Sequence, residues 1–127
     1  MTEVCANILL VDDDRQARMK LTRDLEGQGH TVNAVDGGRS ALETLATEMF
    51  DLILLDILMP EMDGFELLRR LKADAKLSAI PVIVVSSLED AESAEKSKQL
   101  GAQAYISKPV DAGVLNAHVV ECLDQSE

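Results

Sequence analysis

The run ILLVDDD, Ile8–Asp14, decides how the rest of the sequence is interpreted. Four apolar residues of the kind that fill a buried strand lead directly into three consecutive aspartates. At about 4 Å and an effective dielectric near 20, two carboxylates repel by roughly 4 kcal/mol before solvent helps. A buried strand that ends in three such groups therefore indicates a site that compensates their charge.

Similar apolar runs recur along the chain and alternate with segments of helical periodicity. We predict strands at Ile8–Val11, Thr31–Val35, Leu52–Leu55, Val82–Val85 and Ala104–Ser107. We predict helices at Arg15–Gln28, Ser40–Glu48, Phe65–Lys72, Glu89–Leu100 and Asp111–Leu123. Five strand–helix units indicate an α/β fold, a doubly wound parallel sheet with helices on both faces. We find no linker and expect one domain over residues 1–127.

The composition favours a globular protein that meets cations or basic protein surfaces. Hydrophobic residues make up 46% of the chain, and the formal net charge is −11. That charge argues against duplex nucleic acid or an anionic membrane as a main partner, because both require Lys and Arg surfaces. We interpret Cys5 and Cys122 as reduced thiols of an intracellular protein, with Cys122 packed. No apolar run is long enough for a signal peptide or a membrane span.

Polar side chains follow four of the predicted strands, at the sheet edge where ligands bind in folds of this class. They are Asp12, Asp13 and Asp14, then Asp56, then Ser86 and Ser87, then Lys108 before Pro109. Oxygen ligands without His or Cys suit a hard cation such as Mg²⁺. His30 and His118 follow no strand, and we expect them to be packed or at the surface. A carboxylate, a metal, a hydroxyl and an ammonium around one point describe phosphoryl transfer to an aspartate.

Other chemistries fit the residues less well. The sequence contains no Gly-x4-Gly-Lys-Ser/Thr run, and aspartates stand where a dinucleotide fold has glycines after its first strand. Ser86 and Ser87 lack the Gly-x-Ser-x-Gly context of a serine hydrolase. A helix N-terminus that favours acidic side chains explains Asp14, but it explains neither Asp56 nor Lys108.

The motifs ILLVDDD, DLILLDILMPEMDGFELLRRL, IPVIVVSS and GAQAYISKP resemble, in order and spacing, the receiver domains of bacterial two-component response regulators. The resemblance covers about Asn7 to Leu123. It implies a flavodoxin-like fold with strand order 2-1-3-4-5 and a cytoplasmic signalling role. It also implies a sensor histidine kinase or phosphotransfer protein as donor, a downstream effector domain or protein, and dimerisation on phosphorylation as an option. It implies no direct nucleic-acid or membrane binding, and no enzyme activity beyond the domain's own phosphotransfer and slow autodephosphorylation.

The resemblance also implies roles for the acidic residues. By position, Asp56 resembles the phosphoacceptor. Asp13 resembles the residue that contacts Mg²⁺ directly, and Asp12 resembles its partner, which acts through a metal-bound water. The backbone carbonyl of Leu58 matches the remaining protein ligand. Asp14 is left as the expected cap of the first helix, and Asp111 is placed to cap the last helix.

The remaining matches concern the phosphoryl group and the switch. Lys108 matches the lysine that pairs with the phosphoryl group, and the peptide before Pro109 is expected to be cis. Ser86 matches the switch hydroxyl, and Tyr105 matches the aromatic position that turns inward with it. Ser87 is small enough to leave room at the phosphoryl group.

Three further expectations concern the switch and its lifetime. The fourth helix carries few apolar residues, so we expect it to be weakly held and to move easily. Leu58 and Leu88 stand where polar side chains often guide water in this family, so we expect slow self-dephosphorylation. Val110 stands where Phe is frequent in this family, so the resemblance does not predict the packing near Tyr105.

Two other functions stay open on the sequence. A pseudo-receiver would share the fold as an interaction module that is not phosphorylated. A haloacid-dehalogenase-type phosphatase also uses an aspartate nucleophile with Mg²⁺, but its nucleophile would follow the first strand. The sequence ends soon after the fifth helix, which suits a stand-alone regulator and a piece of a longer protein equally well.

Overall fold

The computed structural model describes residues 5–59, 61–87 and 91–125. Five parallel strands form one sheet in the order β2-β1-β3-β4-β5. The strands are β1 (Asn7–Val11), β2 (Thr31–Val35), β3 (Leu52–Leu55), β4 (Val82–Ser86) and β5 (Ala104–Ser107). The helices are α1 (Arg15–Gly27), α2 (Gly38–Leu45), α3 (Gly64–Ala73), α4 (Ala91–Gln99) and α5 (Ala112–Gln125). The predicted fold class and strand order are confirmed.

Two hydrophobic clusters cover the two faces of the sheet. Successive side chains of a strand point to opposite faces, so each central strand supplies both clusters. Leu9 and Ile53 pack with residues of α2 and α3, whereas Ile8 and Leu52 pack with residues of α1 and α5. This two-sided burial explains why β1, β3 and β4 are continuously apolar, as expected of central parallel strands.

The second helix departs from its prediction. It runs from Gly38 to Leu45, not from Ser40 to Glu48. Gly37 is extended and serves as the N-cap, while a Cβ on Gly38 would come within 2.7 Å of the Met62 sulfur. Gly37 and Gly38 precede the predicted start and instead form the N-cap and the first residue of this helix. A short 3₁₀ helix at Leu77–Ala79 was not predicted.

Several local expectations are confirmed. The Asp14 carboxylate caps α1 by accepting a hydrogen bond from the Gln16 amide at 3.1 Å. The Asp111 carboxylate accepts from the Val114 amide at 3.0 Å. Cys122 is buried, and buried His30 accepts a hydrogen bond at Nδ1 from the Ala6 amide. Within the described ranges, no helix has the length and apolarity needed to cross a membrane.

Candidate functional site

The carboxyl edge of the sheet brings three of the predicted acidic residues together. Each of Asp12, Asp13 and Asp56 offers a carboxylate oxygen within 4.8 Å of the other two. Val11 pairs in register with Leu55, so the residues that follow these strands lie side by side. Asp12 and Asp56 are buried, whereas Asp13 is exposed. The cluster therefore combines two carboxylates inside the protein with one open to solvent.

Lys108 supplies the positive charge at this edge. Its Nζ lies 2.8 Å from Asp12 Oδ2 and 3.6 Å from Asp56 Oδ2. The Lys108 backbone amide donates to the carbonyl of Ser86 at 2.8 Å, which fixes the end of β5 against β4. The peptide between Lys108 and Pro109 is cis, in agreement with the resemblance.

The pKa values of Asp56 and Lys108 are both raised, but for different reasons. Burial, followed by the charge of Asp12, raises the pKa of Asp56 to about 6, although Lys108 works against this. Burial alone would lower the pKa of Lys108, but the hydrogen bond and charge of Asp12 raise it. The raised pKa of Lys108 keeps its ammonium protonated at neutral pH beside the Asp56 carboxylate.

Hydrogen bonds hold the segment that follows β1. Asp12 Oδ1 accepts from the Asp14 amide at 2.9 Å, which folds the backbone tightly after the strand. The Arg18 guanidinium donates to the main-chain carbonyl of Asp12 at 2.8 Å. Arg18 was not predicted from the sequence, in which its position four residues after Asp14 on the first helix was the only signal.

Gly64 is a second residue whose role at the site was not predicted from the sequence. A Cβ there would lie 2.6 Å from the Ile57 Cα, too close for any side chain. The Gly64 amide donates to the carbonyl of Ile57 at 2.9 Å. The first turn of α3 therefore presses against the backbone that follows Asp56. The glycine in the turn after a buried strand was the available signal.

The remaining predicted residues surround the cluster at different depths. Ser86 ends β4 and is fully buried, while Ser87 is exposed. Tyr105 is half-buried and packs against the cluster that holds α2 and α3. The Leu58 side chain is exposed, and its amide donates to Asp56 Oδ1 at 3.4 Å. Leu88 lies outside the described residues.

Val110 and α4 bear on two further expectations. Val110 is buried in the cluster with α1 and α5, on the other face of the sheet from the cluster that Tyr105 contacts. Among the α4 side chains that the structure describes, only Ser97 is buried. Lys96 adds a cation–π contact, its Nζ 4.4 Å from the centre of the Phe65 ring. The small apolar contact of α4 agrees with the expectation of a weakly held helix.

The donor set fits a hard divalent cation. All three clustered side chains are carboxylates, and the described metal-ligand cluster includes neither His nor Cys. Oxygen donors of this kind suit Mg²⁺, which uses one or two carboxylates and completes its coordination with water or phosphate oxygens. The buried charge of Asp12 and Asp56 also needs more than one ammonium for compensation.

Comparisons with known proteins agree with this geometry. A family model described as response regulator receiver domain matches residues 8–120. Protein PilH of Pseudomonas aeruginosa is 40% identical over 110 residues, which cover 87% of this chain and 91% of that protein. Transcriptional regulatory protein ZraR of Escherichia coli is 37% identical over 123 residues, 97% of this chain but 27% of that protein. A solved signal receiver domain of a signal transduction histidine kinase from Syntrophus aciditrophicus is 38% identical with a TM-score of 0.87, covering 94% of this chain and 91% of that chain.

Proposed function

Because this chain belongs to the response regulator receiver domains, we propose that Asp56 accepts a phosphoryl group from a phosphohistidine. The donor is a sensor histidine kinase or a phosphotransfer protein, and both are phosphorylated in the cytoplasm. A downstream effector domain or protein reads the modified state. Beyond its own phosphotransfer and slow autodephosphorylation, the domain catalyses no reaction.

The geometry around Asp56 is the observation that carries this proposal. Its carboxylate is buried beside those of Asp12 and Asp13, and the Lys108 ammonium lies 3.6 Å away. One oxygen of Asp56 attacks phosphorus, and the P–N bond of the donor breaks. The imidazole of the donor keeps the electron pair and takes up a proton. Lys108 stabilises the negative charge that the transferring group carries.

Asp12, Asp13, Asp56 and the backbone carbonyl of Leu58 are the groups that we assign to Mg²⁺. When bound, the cation neutralises charge on the phosphoryl oxygens and on the carboxylates themselves. Asp12 and its neighbours hold their positions through the Asp14 amide and the Arg18 guanidinium. The protein thus contributes a preorganised set of oxygen donors.

Switching follows from the added charge. A phosphoryl group brings about 1.5–2 negative charges to Asp56 and new acceptor oxygens. We assign Ser86 as the hydroxyl that moves toward them and Tyr105 as the side chain that turns inward. The response then reaches the face formed by α4, β5 and α5, on which phosphorylation-dependent dimers could form. The small apolar contact of α4 supports this proposal, because a weakly held element shifts at low cost.

A direct test is modification by a small acyl phosphate. Wild-type protein incubated with acetyl phosphate and Mg²⁺ should gain the mass of one phosphoryl group, and chelation of the metal should prevent the gain. Asp56→Ala should abolish it. The matched control Asp36→Ala, an exposed aspartate that follows β2, should leave it intact. An unmodified wild-type protein would favour the pseudo-receiver, an interaction module without phosphorylation.

A further inference from the structure

The outer side of α1 carries a charged surface apart from the acidic site. We call it the arginine face and define it by Arg15, Arg18, Met19, Thr22 and Arg23. These residues recur three or four positions apart, so they share one side of the helix. Together with Glu26 and Ala34 of the edge strand β2, they line a shallow groove of about 830 Å³.

The charge of this face contrasts with that of the whole chain. The chain has a formal net charge of −11, yet the residues that line this groove include three guanidinium groups and one carboxylate, that of Glu26. Within the described ranges, Arg15 and Arg23 make no ion pair. By contrast, Arg69 and Arg70 of α3 both pair with Glu66. The arginine face is therefore a local positive surface with uncompensated side chains.

Two features make the face more than a solvated helix surface. The Arg18 guanidinium is held in place by its hydrogen bond to the Asp12 carbonyl, and a guanidinium has further N–H donors for a second acceptor. Met19 lies among the arginines with 53% of its surface exposed. A flexible apolar side chain of this kind suits a contact with a partner's apolar residue. A fixed charge, two unpaired charges and an apolar centre thus occupy one groove.

We propose that the arginine face docks an acidic segment of a partner protein, with carboxylates opposite the arginines and an apolar side chain on Met19. Charge complementarity selects this occupant. Nucleic acid and anionic membranes carry dense negative charge over long distances, and a chain of net charge −11 repels them. A protein segment brings a few carboxylates and the apolar contact together.

This surface is distinct from the cleft beside the phosphoacceptor site. That cleft lies between α1 and the segment after β5, where Gln16, Ala17 and Lys20 face Pro109 and Val110. The arginine face uses other residues of α1 and adjoins β2 instead. Docking here therefore leaves Lys108 and its cleft open, and it does not depend on phosphorylation of Asp56.

The test is a titration of ¹⁵N-labelled protein with a synthetic amphipathic helical peptide of Glu and Leu, followed by NMR. We expect the shifted amides to lie on the arginine face. The double variant Arg15→Glu/Arg23→Glu should weaken binding about tenfold, because it reverses two exposed contacts. Arg18 stays unchanged, since it contacts Asp12. The control Arg39→Glu/Lys98→Glu changes the net charge equally on α2 and α4, and at physiological salt, where distant charges are screened, it should bind nearly as wild type.

Several results would overturn the proposal. One is an equal loss of binding in the control variant, and another is equal binding of a Lys and Leu peptide of the same spacing. Amide shifts confined to α4 or α5 would also refute it. Self-association of the wild type that the double variant abolishes would assign the face to a second copy instead. Asp56→Asn should bind the peptide as wild type does, which separates this test from failure of the proposed phosphotransfer.

Discussion

Replacing Lys108 by Met should expose how strongly the acidic cluster depends on a cation. The substitution keeps most of the side-chain volume and removes the ammonium that lies 2.8 Å from Asp12 and 3.6 Å from Asp56. Without metal, the Asp12 carboxylate is then left buried beside Asp56 and loses the ammonium that is its ion-pair partner among the described residues. We therefore expect Lys108→Met to be clearly less stable than wild type in chelator, and Mg²⁺ to restore much of the difference.

The loss of stability expected in Lys108→Met depends on how deeply Asp12 and Lys108 are buried. The Asp12 side chain is 1% exposed, and removing one partner of a fully buried pair costs about 3–5 kcal/mol. The Lys108 side chain is 20% exposed, so solvent already weakens the interaction. We discount the loss for this screening to about 2–3 kcal/mol. That is a large part of the 5–15 kcal/mol that stabilises a typical domain.

Urea unfolding at neutral pH, with chelator and with saturating Mg²⁺, measures the effect. The free energy gained on adding Mg²⁺ should be larger in Lys108→Met than in wild type, because the metal replaces the missing charge. Lys98→Met, on the exposed side of α4, serves as the control and should change little in either condition. A loss below about 1 kcal/mol in chelator, or an equal gain from Mg²⁺ in both proteins, would refute the reasoning.

Four further predictions concern Gly64, Asp13, His30 and Leu58. Gly64→Ala should cost about 1–3 kcal/mol in urea unfolding, since its Cβ would meet the Ile57 Cα at 2.6 Å. Gly27→Ala has open space and should be neutral or slightly stabilising; equal losses in both would contradict the contact. Asp13→Asn should raise the melting temperature in chelator and reduce the gain from Mg²⁺, because it removes repulsion together with a ligand; a lower melting temperature without metal would contradict this. Burial lowers the pKa of His30 in the folded protein. As the pH falls, the unfolded chain therefore binds a proton at His30 more readily than the folded protein does, and the free energy of unfolding should decrease below about pH 6.5. His30→Gln should remove this part of the dependence of stability on pH between pH 7 and 5. An unchanged dependence would mean that another group causes it. Leu58→Asn should shorten the lifetime of phosphorylated Asp56 in a phosphate-release assay if leucine excludes the hydrolytic water, and Leu88→Glu tests the same idea; a lifetime of seconds that neither changes would count against it.

The strands were predictable where an apolar run stops at a polar or chain-breaking residue. Thr31–Val35, Leu52–Leu55 and Ala104–Ser107 have the predicted bounds. Leu52–Leu55 is buried throughout, whereas the two edge strands are only partly buried. The second helix was predicted to begin at Ser40, two residues after its actual start. Gly38 packs closely against Met62, a residue 24 positions further along the chain, and no local pattern reveals this contact.

The acidic cluster was predictable for a topological reason. Parallel strands bring their carboxyl ends to one edge, so residues that follow different strands can be expected to meet there. The sequence could not reveal how deeply each group lies, and therefore which aspartate is perturbed. The pKa of Asp56 is raised mainly by burial, a property of the packed helices and sheet rather than of its neighbours in sequence. Arg18 and Gly64 were missed for the same reason, because both act on backbone atoms of other segments.

The three consecutive aspartates differ in what balances their charge. Asp14 is balanced locally by helix amides, Asp13 by solvent, and Asp12 mainly by Lys108. Lys108 lies nearer to Asp12 than to Asp56, although Asp56 is the proposed phosphoacceptor. A phosphoryl group on Asp56 would add about 1.5–2 negative charges and draw the ammonium toward it. Asp12 would then need another cation, so phosphorylation at Asp56 and metal binding beside Asp12 should strengthen each other through this one lysine.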